Sequence, residues 1–251
     1  MSRDCLIDLK RCICIHGYFQ VVDAVLQYLL YQRGIVPGFV GEILAKPVTS
    51  QELKFAENYG KIRETLKQIF RSGNRKSLKQ TVILIGNSCL LPKEIYVVNG
   101  DLCSTEDPDN CHPNCSELSD KYVGMLTQIL LFFDFFISNY LPLTVYFILR
   151  ERRKVSLTLL KLLCCTSELS GAQVYVFVRA KSTLNFPGDL VEEDEGFELP
   201  SESKIERKRI EISQICLKHY CGIARAWSLK DDEDDDLTWF RVSTHLRQFS
   251  A

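Results

Sequence analysis

The hydrophobic period of this chain changes along its length, and that change does most to limit the fold. Over residues 17–33 the apolar side chains Phe19, Val22, Val25, Leu26 and Leu29 recur at steps of three and four, which puts them on one face of a helix. Gly34 and then Pro37 follow, the punctuation of a helix end. A second helix is predicted at about 50–71, with Leu53, Phe55, Ile62, Leu66 and Phe70 as core contacts and Ser50 as its N-cap. Beyond it the period shortens. Thr81-Val82-Ile83-Leu84-Ile85 is a continuous run rich in β-branched residues, read as a buried strand. Gly86-Asn87-Ser88 reads as a turn, and Ile95–Val98 as a second strand closed by Asn99-Gly100. Val174, Val176 and Val178 alternate with Tyr175 and Phe177, and Ile210 and Ile212 alternate with charged neighbours. Residues 222–228 and 237–242 are two more strand candidates, and Trp227 and Trp239 in them are predicted to bury their rings. Helices early and strands late predict an α+β domain with a mainly antiparallel sheet.

With 251 residues the chain suffices for one sizeable domain or at most two small ones. Its 31 basic and 32 acidic residues nearly cancel, so no global basic field exists to drive sequence-independent nucleic-acid binding. Local charge runs remain. Residues 231–236 are all acidic and residues 204–209 mostly basic. The first reads as a solvated loop or a partner-binding one, the second as a solvated approach to a strand or a patch for nuclear import or an anionic partner. One segment does not fit the α+β plan. From Met125 to Leu149 few polar residues interrupt the apolar ones, and Arg150-Glu151-Arg152-Arg153-Lys154 follows. Length and basic flank suit a membrane span; Asp134, Asn139 and Pro142 near its middle oppose one. A buried helix-turn-strand and a segment foreign to the domain are the other two readings.

The search for chemistry is mostly negative. The sequence contains no GxxxxGK[ST], no GxGxxG after a strand, no HExxH and no GxSxG. Eleven cysteines and an N-terminus without a long apolar core point to free thiols in a reducing compartment. His16 lies near Cys14, and His219 near Cys216 and Cys221, but nothing orients either pair as nucleophile and base. Cys103, Cys111, His112 and Cys115 form one candidate zinc set, and Cys216, His219 and Cys221 another. Neither has the paired short spacings of a zinc site. No catalytic residue, cofactor or metal site is assigned.

Several stretches resemble one family. They are Tyr28-Leu29-Leu30-Tyr31-Gln32-Arg33 before Pro37, then Val82–Asn87 leading to Pro92-Lys93-Glu94-Ile95-Tyr96, then Ala226-Trp227 and Trp239-Phe240, with Phe249 near the end. In this order and approximate spacing they resemble the comet proteins, which bind the spindle-checkpoint factor Mad-two. The resemblance runs over about residues 5–122 and 154–250. It implies a single HORMA-like domain over 5–250: three helices packed on a mainly antiparallel sheet, with a C-terminal segment folded onto it. It also implies an interrupting apolar insert at about 123–153, which splits a third helix between 119–122 and 154–169.

The resemblance further implies a non-enzymatic adaptor. Such a protein binds the closed form of Mad-two and presents it to a pachytene-checkpoint-type AAA+ ATPase, which silences the mitotic spindle assembly checkpoint. Its expected location is nucleus and cytoplasm, with spindle or kinetochore in mitosis. Carried over residue by residue, Gln32 contributes to the Mad-two contact, Tyr31 and Arg33 flank it, and Leu157 stands where the family has an aromatic. The acidic loop Glu192-Glu193-Asp194-Glu195 occupies the region the family turns toward the ATPase. The alternatives are another HORMA-like adaptor, in meiosis or DNA repair, and a membrane-tethered protein anchored by 125–149.

Overall fold

The computed structural model describes residues 2–9, 15–72, 78–100, 169, 171–183, 186, 189–219 and 237–249. Strand β1 (Ser2–Leu9) precedes helices α1 (Ile15–Gln32), α2 (Val40–Ala45) and α3 (Ser50–Ser72). Strands β2 (Leu78–Ser88), β3 (Leu91–Gly100), β4 (Gln173–Lys181) and β5 (Val191–Glu193) follow. Then come helix α4 (Glu202–Lys208) and strands β6 (Glu211–His219), β7 (Leu237–Val242) and β8 (Leu246–Arg247). All strands join one sheet in the order β1-β6-β3-β2-β4-β7-β5, with β8 also on β4. The pairs β1/β6 and β6/β3 are parallel and the other pairs antiparallel. The class is α+β as the periodicity predicts, but the sheet is mixed.

Both faces of the sheet are covered, which is why the Thr81–Ile85 run shows no alternation. Ile83, Ile85, Tyr96, Val98, Val174, Val176 and Val178 pack in the core shared with α1 and α3. Val82, Leu84, Ile95, Val97 and Phe177 face the other way, into a second cluster with Phe197, Leu199, Ile205 and Ile210. Those four residues belong to the chain between β5 and β6. It leaves one edge of the sheet, crosses the second face as a strap and re-enters beyond β3. Strand β7 is seated between β4 and β5, where the strap starts. The Phe197 ring stacks on Phe177 at 4.1 Å and meets Trp239 of β7 at 5.1 Å.

Several expectations are corrected. The cap of α3 is Thr49, not Ser50. Thr49 Oγ1 accepts from Glu52 N at 3.1 Å, while Glu52 Oε2 accepts from Thr49 N at 2.8 Å and from Val48 N at 2.7 Å, a reciprocal capping box. Leu53 is 56% exposed, because two residues before Phe55 is about 200° around a helix. The β2–β3 turn falls at Cys89-Leu90, and Gly86-Asn87-Ser88 stay in β2 across an irregular register. Asn99 and Gly100 continue β3. The basic run 204–209 is largely exposed and leads into β6, as predicted, but most of it is helix α4. Trp239 is a strand residue, but only half-buried. Strand candidate 222–228, with Trp227, lies outside the described residues, as do the acidic run 231–236 and the segment 123–153. So does the split third helix, apart from Leu169, which is buried and in no helix.

Candidate functional site

The Tyr31-Gln32-Arg33 motif ends α1, and the way that helix stops sets what each of the three side chains can do. Arg33 N bonds Leu29 O at 2.9 Å, Gly34 N bonds Tyr31 O at 3.1 Å and Ile35 N bonds Leu30 O at 2.9 Å. Gly34 has φ +58°, the left-handed conformation that costs glycine least. This is a Schellman termination, and its usual apolar contact is supplied by Leu30 and Ile35, both fully buried. The sequence makes the stop rigid by chemistry confined to six residues.

Arg33 turns inward. Only 3% exposed, it donates from Nε to Glu94 Oε2 at 2.7 Å and from Nη2 to Tyr96 Oη at 2.7 Å. Tyr96 Oη in turn donates to Glu94 Oε2 at 2.6 Å. Glu94 and Tyr96 sit two apart on β3, hence on one face. Each group has a charged or strongly polar partner, as buried charges require. Burial, then the Glu94 charge, pushes the Tyr96 hydroxyl above its ordinary range. For Arg33 burial works against the charge, but Tyr96 and Glu94 outweigh it and the net direction is up.

Tyr31 and Gln32 remain half-buried at the surface. The Tyr31 ring packs on Phe39 at 4.5 Å. The Gln32 amide has no hydrogen-bond partner among the described residues. From the other side the helix end is tied by the last described residues: Gln248 Nε2 donates to Gly34 O at 3.1 Å and Phe249 N to Ile35 O at 3.0 Å. A fixed platform therefore carries one free amide beside an aromatic ring. Its ionisable groups are consumed internally, so the arrangement suits contact with another surface better than proton transfer.

Leu157 lies outside the described residues, as do Cys14, Cys103, Cys111, His112, Cys115 and Cys221. Cys216 is a free, half-buried thiol on β6, as is Cys89 at the hairpin turn. Among the described residues no group of three or more His, Cys, Asp or Glu could hold a metal, and no helix is long and apolar enough to cross a membrane. Of the predicted acidic loop 192–195, Glu192 and Glu193 lie instead in β5, paired with β7, and Glu192 forms an ion pair with Arg241 of β7. Sequence reading missed Glu94 and Tyr96 as the partners of Arg33, although their i, i+2 spacing in a strand was available as a signal. No protein-family model and no curated protein matches this chain.

Proposed function

We propose that the chain is a HORMA-like adaptor of the comet type, without catalytic activity. It binds closed Mad-two through the end of α1 and offers that complex to a pachytene-checkpoint-type AAA+ ATPase, so that the spindle checkpoint is silenced; its place is the nucleus and cytoplasm, with spindle or kinetochore in mitosis. One observation carries this reading. The two motifs on which the resemblance rests most, Tyr31-Gln32-Arg33 and Pro92–Tyr96, meet in a single buried network through Arg33, Glu94 and Tyr96. The network explains why an arginine follows the glutamine: Arg33 fixes the helix end that exposes Gln32. The strap of residues 194–210, with β7 seated where it starts, supports the HORMA-like assignment and the expected C-terminal segment folded onto the sheet.

In this reading Gln32 supplies donors and an acceptor to the partner, Tyr31 supplies apolar contact area, and Arg33 positions both. Leu157 takes the place of the family's aromatic. Calorimetric titration of the full chain with closed Mad-two tests the proposal. Gln32→Ala is expected to weaken binding by about 1 kcal/mol or more while stability stays within about 0.5 kcal/mol. Wild-type chain that binds no closed Mad-two, or a Gln32→Ala variant that binds it unchanged, would overturn it.

A further inference from the structure

A groove of about 480 Å³ runs between the start of α3 and residues 243–249. Gln51, Lys54, Phe55 and Asn58 face it, at the three- and four-residue steps of one helix face. Its floor is aromatic: Phe55 and Phe249 meet edge-on at 5.8 Å. Its rim is cationic. Lys54 and Arg247 are exposed, and none of the eleven lining residues carries a carboxylate. Lys54 makes no ion pair among the described residues, and Arg247 donates there only to His245 Nε2, at 3.3 Å. Two cations thus face one opening whose lining supplies no carboxylate; the charge felt by Lys54 is that of Glu57, which is itself bonded to Lys61.

The far wall adds unspent hydrogen bonds. Between β7 and β8 the chain is irregular, and the backbone N–H and C=O groups of Thr244 and His245 have no partner among the described residues. The Ser243 hydroxyl is buried and unpartnered as well. Burial, then Arg247 and Arg241, pushes the His245 imidazole below its ordinary pKa, as a site already rich in positive charge would. Open backbone groups on the wall of a groove are what a peptide main chain pairs with. An aromatic floor with a cationic rim selects for apolar side chains alternating with acidic ones, since successive residues of an extended chain point to opposite sides.

We infer that this groove takes an extended acidic peptide segment of a protein partner, with carboxylates at Lys54 and Arg247 and apolar side chains on Phe55 and Phe249. Gln248 and Phe249 of its wall also bond the end of α1, but Gln32 does not line the groove and the inference does not depend on the function proposed for Gln32.

The test uses the full chain and a fluorescein-labelled peptide of four Glu-Val repeats, followed by anisotropy. Saturable binding is expected, at least tenfold tighter than for the matching Gln-Val peptide and weakening as salt is raised. The double reversal Lys54→Glu and Arg247→Glu changes two exposed side chains; it should lower affinity tenfold or more with the melting temperature kept. Gln32→Ala should leave peptide binding unchanged, which separates this site from the α1 surface. Equal binding of the acidic and neutral peptides, binding that survives the double reversal, or no binding at all would overturn the inference. So would self-association of the chain that the double reversal abolishes while the peptide fails to bind, since the groove would then serve a second copy.

Discussion

Adjacent residues of the Tyr31-Gln32-Arg33 motif part company in the fold. Successive helical positions lie about 100° apart, so Gln32 can face solvent while Arg33 is buried against Glu94. Removing the cation would leave that carboxylate 5% exposed and unpaired. Arg33→Met is therefore expected to cost about 3–5 kcal/mol, measured by urea unfolding, against almost nothing for Gln32→Ala. The double variant Arg33→Met/Glu94→Met should recover a large part of the loss, because no buried charge is then stranded. Arg209 marks a second residue under strain. It holds φ 52° at the end of α4, where Ile210 N closes on Ile205 O at 3.0 Å. A side chain in this region costs about 1–2 kcal/mol, partly offset by the entropy a glycine loses on folding. Arg209→Gly should thus raise stability by roughly 0.5–1 kcal/mol, visible as a higher denaturation midpoint. The i, i+2 spacing of Glu94 and Tyr96 puts them on one strand face, but that Arg33 meets that face, like the conformation of Arg209, depends on where the strand or strap arrives.

Elements with a long, strong pattern were legible, and short ones were not. α1, α3, β4 and β7 fall close to their predicted spans, and β2 and β3 are found but run past theirs at both ends, because each carries enough apolar residues to fix its own period. β1, α2, β5 and β8 were missed, and α4 was misread. They run from two to eight residues, and their neighbours in the fold, not their composition, decide their conformation. The β2–β3 hairpin shows a constraint that a single residue carries. A Cβ on Gly86 would sit 2.8 Å from Pro92 Cα, 2.9 Å from Leu91 O and 2.9 Å from Lys93 N, all backbone atoms that cannot swing aside. Gly86→Ala should cost about 1–3 kcal/mol, seen as a lowered midpoint. At the start of α3, Thr49→Ala should cost about 1 kcal/mol through loss of the cap. Glu52 adds a pH signature there. Bonds from the Thr49 and Val48 backbone hold its carboxyl below the ordinary range of a glutamate, about pH 4.3. Its contribution is present above that pH and is lost as pH falls through the lower folded value; in Glu52→Gln the acid limb of a stability profile should be shallower.

At the scale of the whole molecule, three buried tyrosines add polar ties between α1 and the elements it packs against. Tyr18 donates to Val98 O at 2.7 Å and ties α1 to β3. Tyr59 of α3 donates to Asp23 Oδ1 at 2.5 Å, and the other oxygen of Asp23 accepts from Gln27 and Arg63, both at 3.1 Å. Tyr96 joins β3 to the end of α1 through Arg33. Burial raises all three hydroxyls above their ordinary pKa of 10.0, with the Asp23 charge adding to it at Tyr59 and the Glu94 charge at Tyr96. The consequence has a definite sign. Below about pH 10 folded and unfolded chains hold these protons alike, so the stabilisation is complete. Above it the unfolded chain releases them while the folded chain does not, and stability falls as pH rises. The three groups bind one helix to two other elements, so their ionisation cannot be local. Phenolate absorbance followed through an alkaline titration should show exposed tyrosines titrating gradually near pH 10, then a steep step that coincides with the loss of far-ultraviolet circular dichroism. Phe replacing Tyr59 should remove one phenolate from the steep step. A titration in which every tyrosine ionises gradually while the helical signal stays intact would show that α1 is not anchored in this way.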